Sequence, residues 1–131
     1  RNKIFYTSFI VIDSKGKQID ECVEPSYNGL TDVEVHKIML DHHVGNICSG
    51  IIHRSMFDRF GYFDPNYDKG SDYHWYLKVC LIHKMRIWLL SGVTLKYRHH
   101  IKQETSNVKL MNDNVKLFKE KIISEYNGNI A

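Results

Sequence analysis

The chain has 131 residues, of which 43% are hydrophobic and 25% are charged, a composition typical of a globular domain with a sizeable core. The formal net charge is only +3 and the basic residues are scattered, which indicates weak attraction to anions and argues against a nucleic-acid-binding groove. No apolar run approaches the roughly 20 residues that a membrane-spanning helix needs.

The first predicted elements are two strands joined by a turn. Residues 4–13 are rich in β-branched and aromatic side chains, which favours a strand. Gly16, in the Asp-Ser-Lys-Gly-Lys stretch that follows, can take the positive φ of a turn. Residues 17–23 are predicted to return as the partner strand.

A helix is predicted over residues 31–41. Its first residues, Thr-Asp-Val-Glu, form a capping box, in which the Thr31 hydroxyl accepts a hydrogen bond from the Glu34 amide and the Glu34 carboxylate reaches back. Leu30 and Val35 fall at the positions of a hydrophobic staple, which supports the same helix start.

Three further segments follow the first helix. Residues 47–52 are apolar and few, which predicts a buried strand. Ser55 is predicted to cap a short helix that runs through Phe60 and that Gly61 ends. Residues 72–84 are predicted to form an amphipathic helix with Ser71 as its N-cap.

The C-terminal part contains two predicted strands and a long helix. Residues 86–90 and 93–98 are predicted as strands joined by Ser91-Gly92, and residues 105–126 as an amphipathic helix. The apolar positions of that helix recur at spacings of three and four, at Val108, Met111, Val115, Phe118 and Ile122. The alternation of strands and helices predicts an α/β or α+β fold.

Cysteine and histidine spacing gives no metal-site pattern. Three separated cysteines without a CxxC pair fit a reducing compartment, and no second half of a zinc-binding pair is present. Cys48 and Cys80 are therefore predicted to be small core residues.

Asp72 stands directly behind Gly70-Ser71 at the start of a predicted helix. A carboxylate there is stabilised by the helix dipole by about 0.3–1 kcal/mol, so a purely structural role is the plainer interpretation. A catalytic role also fits, because Gly70 leaves room for a ligand and a helix start holds a general base rigidly. Nearby aromatic side chains can face a sugar ring: Tyr62, Phe63, Tyr67, Tyr73 and Trp75.

Four motifs occur in order along the chain. They are Arg54, "FGYFDPNY" at 60–67, "GSDYHWYLKV" at 70–79 and "YRHHIKQETS" at 97–106. In this order, residues 45–106 resemble the later half of family 2 glycosyltransferases of the GT-A fold, and "FIVIDSKGK" at 9–17 resembles the segment before it. The resemblance implies a mixed sheet flanked by helices, with residues 1–131 as a single domain that forms the C-terminal, acceptor-side half of the transferase.

The resemblance also implies roles for particular residues. It makes Asp72 the general base of an inverting transfer from a nucleotide-sugar to a glycan or lipid-linked acceptor. The positions that would contact the acceptor are Asn46, Ser49, Gly50, Gly70, Ser71, Tyr73 and Trp75. His100 and Arg98 would contact a divalent metal or the diphosphate, with a solvated strand end and an ion pair to a carboxylate as the respective alternatives.

Two departures from the family pattern keep a second function open. Ser71 replaces the glutamate of the family's Glu-Asp pair, and no βαβ run or Asp-x-Asp motif of a nucleotide-binding half is present. The alternative is therefore a non-catalytic binding or interaction module that retains the half-fold. For the enzyme, the full-length protein would use Mn²⁺ or Mg²⁺, while the fragment alone is expected to be inactive and to bind no metal.

The expected partners and location follow from the same resemblance. The full-length enzyme would bind a nucleotide-sugar and a glycan acceptor, and no nucleic acid. A half-fold is expected to expose an apolar face and an open sheet edge, so the fragment is expected to form a homodimer. A cytoplasmic location is expected, with peripheral attachment to a membrane as a variant of it.

Overall fold

A computed structural model of the chain describes residues 3–100 and 108–126. It is an α+β fold in which helices pack on a mixed sheet of three strands. The strands are β1 (Lys3–Ile12), β2 (Gln18–Cys22) and β3 (Arg86–Arg98). The helices are α1 (Asp32–Asp41), α2 (Ser55–Phe60), α3 (Ser71–Leu77) and α4 (Val108–Glu125), with a 3-10 turn at Ile47–Ser49 and a π-helical turn at Lys78–Ile82.

The sheet has the order β2-β1-β3, with β1 in the centre. β1 pairs with β2 in antiparallel fashion and with β3 in parallel fashion. Asp13 directly follows β1 and closes the turn to β2, since its Oδ1 accepts hydrogen bonds from the amides of Lys15 and Lys17 at 2.8 and 2.9 Å. The two predicted N-terminal strands are confirmed.

β3 is one continuous strand, so the prediction of two separate strands joined by Ser91-Gly92 is wrong. Both halves of β3 run parallel to β1, whereas a two-residue turn would have reversed the chain. The register shifts opposite Ser8, and Gly92 takes a φ of 100° there. The Ser-Gly pair thus marks an irregularity inside a strand, as glycine in a strand often does.

Residues 47–52 do not form the predicted buried strand. Their first three residues make the 3-10 turn Ile47–Ser49, because the Asn46 side chain accepts a hydrogen bond from the Cys48 amide at 2.8 Å. Such a local bond competes with sheet pairing. Within residues 47–52, Ile51 alone pairs with β1, in an antiparallel bridge to Phe5.

Of the three predicted helix starts, the structure confirms only that of α1. The capping box of α1 is confirmed, with Thr31 and Glu34 bonded in both directions. For α2 the N-cap is Arg54 and Ser55 is the first helical residue, so the prediction of Ser55 as the cap is wrong. This helix ends at Gly61, whose φ is 82°. For α3 the N-cap is Gly70, with a φ of 84°, and Ser71 is the first helical residue. The prediction of Ser71 as N-cap is therefore wrong.

The core lies between the sheet and α3, which is buried along most of its length. Trp75, Tyr76 and Leu77 have no exposed surface, and α4 adds Phe118 and Ile122 to them. Cys80 is buried as predicted, but Cys48 is exposed on the 3-10 turn, so the prediction of Cys48 as a core residue is wrong.

The predicted apolar stripe of α4 is packed only at its C-terminal end. Val115 is half-buried against the core, whereas Val108 at the other end is exposed. Residues 105–107 of the predicted helix lie outside the described part. Over the described ranges, no helix combines the length and apolar character needed to cross a bilayer.

Candidate functional site

A cleft of about 940 Å³ opens beside the start of α3. Its walls come from the end of α1, the 3-10 turn, the loop before α3, the end of β3 and α4. Seven of the ten predicted site residues line this cleft: Asn46, Gly70, Ser71, Asp72, Tyr73, Arg98 and His100. The fold thus brings together residues that lie as far apart as the 3-10 turn and the end of β3.

Asp72 lies in the first turn of α3 and is partly exposed to the cleft. Its Oδ1 accepts a hydrogen bond from the Tyr73 amide at 2.8 Å, which fixes the carboxylate on the helix start. No described residue forms a hydrogen bond to Oδ2. One oxygen of Asp72 therefore has capacity to accept a proton or a hydrogen bond from a ligand.

Tyr73 supplies a wall of the cleft rather than a polar contact. Its hydroxyl donates to the Met39 carbonyl, and burial raises the pKa of this phenol above its ordinary value. The imidazole of His43 stacks on its ring, with the two ring centroids 4.8 Å apart and the planes at 10°. The hydroxyl is used inside the fold and Tyr73 is buried, so this residue borders the cleft without offering it a free polar group.

Two further cleft residues, His43 and Lys119, were not predicted from the sequence. Desolvation of the imidazole by the surrounding protein lowers the pKa of His43. The negative charge of the Asp72 carboxylate opposes that decrease. Lys119 reaches in from α4, with its Nζ 5.3 Å from the Tyr73 ring centroid. Partial burial lowers the pKa of Lys119, and Asp41 opposes this decrease.

A sequence signal existed for only one of these two residues. His43 belongs to a His-His pair that directly follows the predicted helix 31–41, and histidine is a residue type that often serves in functional sites. Lys119 lies in the middle of a long helix with many lysines, and only the packing of α4 brings it to the cleft.

Arg98 holds the β1–β2 turn at the edge of the cleft. Its Nη1 donates to the carbonyls of Asp13 and Ser14, each at 2.9 Å. Backbone carbonyls, rather than the phosphate or carboxylate considered from the sequence, are thus its partners among the described residues. His100 also lines the cleft, two residues farther on.

Three predicted acceptor contacts, Ser49, Gly50 and Trp75, lie outside the cleft lining. Ser49 is buried and donates its hydroxyl to the Asn46 carbonyl at 3.0 Å. Trp75 is fully buried, and its Nε1 donates to the Gly61 carbonyl at 2.7 Å. Gly50 lies against the Tyr76 hydroxyl, where a Cβ would be only 2.6 Å from that oxygen. Packing accounts for all three residues.

The residues of the cleft do not assemble a metal centre by themselves. Across residues 3–100 and 108–126, no group of three or more His, Cys, Asp or Glu side chains has the arrangement of a metal site. Comparisons with protein-family models, with curated proteins and with solved structures find no match to this chain. A functional proposal therefore depends on the residues and geometry of the cleft.

Proposed function

We propose that the chain forms the acceptor side of an inverting glycosyltransferase, which moves a sugar from a nucleotide-sugar to a glycan or lipid-linked acceptor. The position of Asp72 is the observation that carries this proposal. Its carboxylate lies in a cleft, is fixed by the Tyr73 amide and keeps one oxygen without a hydrogen bond among the described residues. A general base has to be held in this way.

The cleft suits a ligand with many hydroxyl groups. Asn46, Ser71 and Asn112 offer amide and hydroxyl groups. The side chains of Ile47, Phe63 and Val115 offer apolar surface. Such a combination of apolar walls and a few polar groups is typical of small-ligand sites. An acceptor sugar presents the matching chemistry, a ring of C–H groups bordered by hydroxyls.

In the proposed reaction, Oδ2 of Asp72 accepts the proton of the acceptor hydroxyl. The hydroxyl oxygen forms a bond to the anomeric carbon of the donor as the bond from that carbon to the diphosphate oxygen breaks. The diphosphate leaves with the electron pair, and attack from the opposite face inverts the anomeric configuration. The base has to lie about 2.6–3.2 Å from the hydroxyl oxygen, or be connected to it by one water.

The nucleotide and the divalent metal belong to a separate donor half in this proposal. The described residues lack a three-residue metal-ligand group, so they do not fit a complete Mn²⁺ or Mg²⁺ site and we derive no step through the metal. His100 and Arg98 remain proposed contacts to the diphosphate, because both line the cleft. The second candidate function is a non-catalytic binding module that retains the half-fold. Ser71 favours this candidate, because the glycosyltransferase family carries a glutamate at this position.

Replacement of Asp72 by Asn tests the catalytic proposal. In the enzyme that joins this chain to its donor half, Asp72→Asn should lower kcat by about a hundredfold or more. The variant should fold normally and bind acceptor with little change, since Asn keeps the oxygen that accepts the Tyr73 amide. Steady-state kinetics with nucleotide-sugar donors, with acceptor varied, separates kcat from KM.

Asp68→Asn is the matched control, because Asp68 is a second carboxylate of the same cleft. It should retain kcat within a few-fold of the unchanged protein. Near-normal kcat in Asp72→Asn, or an equal loss in both variants, contradicts the assignment of Asp72 as the base. Sugar binding without any turnover in the unchanged enzyme would favour the binding module.

A further inference from the structure

Three aromatic rings form a stack that runs from the core to the surface next to the cleft. The innermost ring, Trp75, has no exposed surface, and Phe57 stacks on it with ring centroids 4.8 Å apart. Tyr62 stacks on Phe57 at 5.9 Å, with the two planes within 10°. Tyr62 is 69% exposed, so most of the outermost ring of this stack faces solvent.

The backbone before Tyr62 is fixed on both sides of Gly61. The Gly61 amide donates to the Phe57 carbonyl at 2.9 Å, and the Gly61 carbonyl accepts from Trp75 Nε1 at 2.7 Å. A φ of 82° at Gly61 turns the chain so that the next ring lies back on Phe57. The position of Tyr62 is therefore set by the residues that carry it, before any ligand binds.

The chain after Phe63 is fixed by a second turn. Asp64 accepts hydrogen bonds from the amide of Asn66 on its side chain, at 2.9 Å, and from the amide of Tyr67 on its carbonyl, at 3.1 Å. Phe63 itself meets Phe57 and Trp75 edge to face, at 5.8 and 5.9 Å. The pair Tyr62-Phe63 is thus held between two hydrogen-bonded turns.

Phe63 connects this exposed surface to the cleft. It packs against the ring stack and also lines the cleft that contains Asp72. Single exposed hydrophobic side chains are common on proteins and need no explanation. A pair of rings that is exposed, fixed in place and continuous with a polar cleft has instead the features of a ligand site, since binding there requires little ordering of side chains.

We propose that Tyr62 and Phe63 form a second acceptor subsite, on which the pyranose ring of a sugar unit packs beside the unit that reacts at Asp72. The acceptor would then be an oligosaccharide rather than a single sugar. The C–H face of a pyranose matches an exposed aromatic ring, while its hydroxyl rim matches the polar cleft and the Tyr62 hydroxyl. The choice of a sugar as ligand rests on the proposed function; the presence of a second subsite does not require transfer.

Binding of sugars of increasing length tests this subsite. The 131-residue chain is titrated with glucose and N-acetylglucosamine oligomers of one to five units, and affinity and ring-proton shifts are measured by NMR. Affinity should rise when the oligomer becomes long enough to occupy both subsites, and the ring protons of Tyr62 should shift. Tyr62→Ala should weaken binding of the longer oligomers by about three- to tenfold, with little change for single sugars.

Three variants serve as controls. Tyr62→Phe keeps the ring and should keep the affinity gained with length. Ile19→Ala removes an exposed hydrophobic side chain on β2, outside the cleft lining, and should change nothing. Asp72→Asn should also bind the longer oligomers more tightly than single sugars. A wrong proposal for sugar transfer and a wrong proposal for the second subsite therefore give different results. A thermal unfolding curve for each variant checks that it is folded.

Several results would overturn the subsite. They are equal affinity for short and long oligomers, unchanged binding of long oligomers to Tyr62→Ala, and no shift of the Tyr62 ring with any oligomer at about 20 mM, where millimolar binding would be near saturation. Sedimentation could also show that the unchanged chain is a dimer and that Tyr62→Ala is a monomer. In that case the surface around Tyr62 would bind a second copy of the chain instead of a sugar.

Discussion

At the scale of single residues, motif order predicted which residues share a cleft better than it predicted the directions of their side chains. Asp72 and Gly70 line one cleft with Asn46 and His100, as the order of the motifs predicts. Trp75 does not, because α3 is buried on nearly all sides and its later residues point into the core. A motif shows which element carries a residue, but burial of the whole helix is a property of the packed fold.

Gly50 gives a prediction about packing at this scale. A Cβ at this position would lie 2.6 Å from the Tyr76 hydroxyl and 3.1 Å from the Ile47 carbonyl oxygen, so Gly50→Ala should lower the free energy of unfolding by about 1–3 kcal/mol. The Tyr76 hydroxyl is buried and has no hydrogen-bond partner in the described part of the chain. Tyr76→Phe should therefore be neutral or stabilising.

The double variant distinguishes packing from other causes. Gly50→Ala combined with Tyr76→Phe should recover much of the lost stability in urea unfolding, because the oxygen that clashes is gone. Gly29→Ala is the control, since a Cβ there meets no atom within 4 Å. Additive effects of Gly50→Ala and Tyr76→Phe would contradict the proposed contact.

At the scale of elements, the sequence predicted helices well where a residue at the helix end gives a local signal. The capping box of α1 and the glycine at the end of α2 are such signals, and both helices are confirmed. The segment 47–52 was misassigned because its apolar composition outweighed the capping side chain of Asn46. The Ser91-Gly92 pair was misassigned because the sequence does not show that β1 runs beside both halves of β3.

The packing of α3 on α4 gives a prediction about pH. His74 is buried beside Phe118, its Nδ1 has no hydrogen-bond partner within the described ranges, and burial lowers its pKa. The charged groups that also act on it are Lys78, Asp64, Lys121 and Glu125. Because the unfolded state binds a proton more readily, stability should fall as the pH drops below about 6.5, the unfolded pKa of histidine.

His74→Phe checks this prediction. It removes the unpartnered nitrogen and should raise the free energy of unfolding at pH 7 by about 1 kcal/mol. The free energy of unfolding of this variant should also depend less on pH between about 7 and 5. Part of the pH dependence should remain, because the pKa values of three other histidines are lowered too: His36, His43 and His83. Urea unfolding across this range measures both effects. An unchanged slope would show that His74 contributes nothing to it.

At the scale of the whole molecule, the sequence predicted an α/β or α+β fold with a mixed sheet flanked by helices, and the structure is an α+β fold with a mixed sheet of three strands. The relation to half of a GT-A domain remains a prediction. So does the homodimer. Among the described strands the open edges lie on β2 and β3, where Ile19, Leu90 and Val93 are exposed. The position of Lys119 could not be predicted, because it depends on where α4 packs across a long-range contact.

A crystal structure with a bound acceptor tests the central claim most directly. The acceptor is the oligosaccharide that accepts sugar in the turnover assay, bound to the enzyme with its donor half. We predict that one acceptor hydroxyl oxygen lies about 2.6–3.2 Å from the Asp72 carboxylate, or is joined to it by one water, with its sugar ring in the cleft beside Tyr73. An acceptor seated outside this cleft, with no hydroxyl within reach of Asp72, would contradict the account.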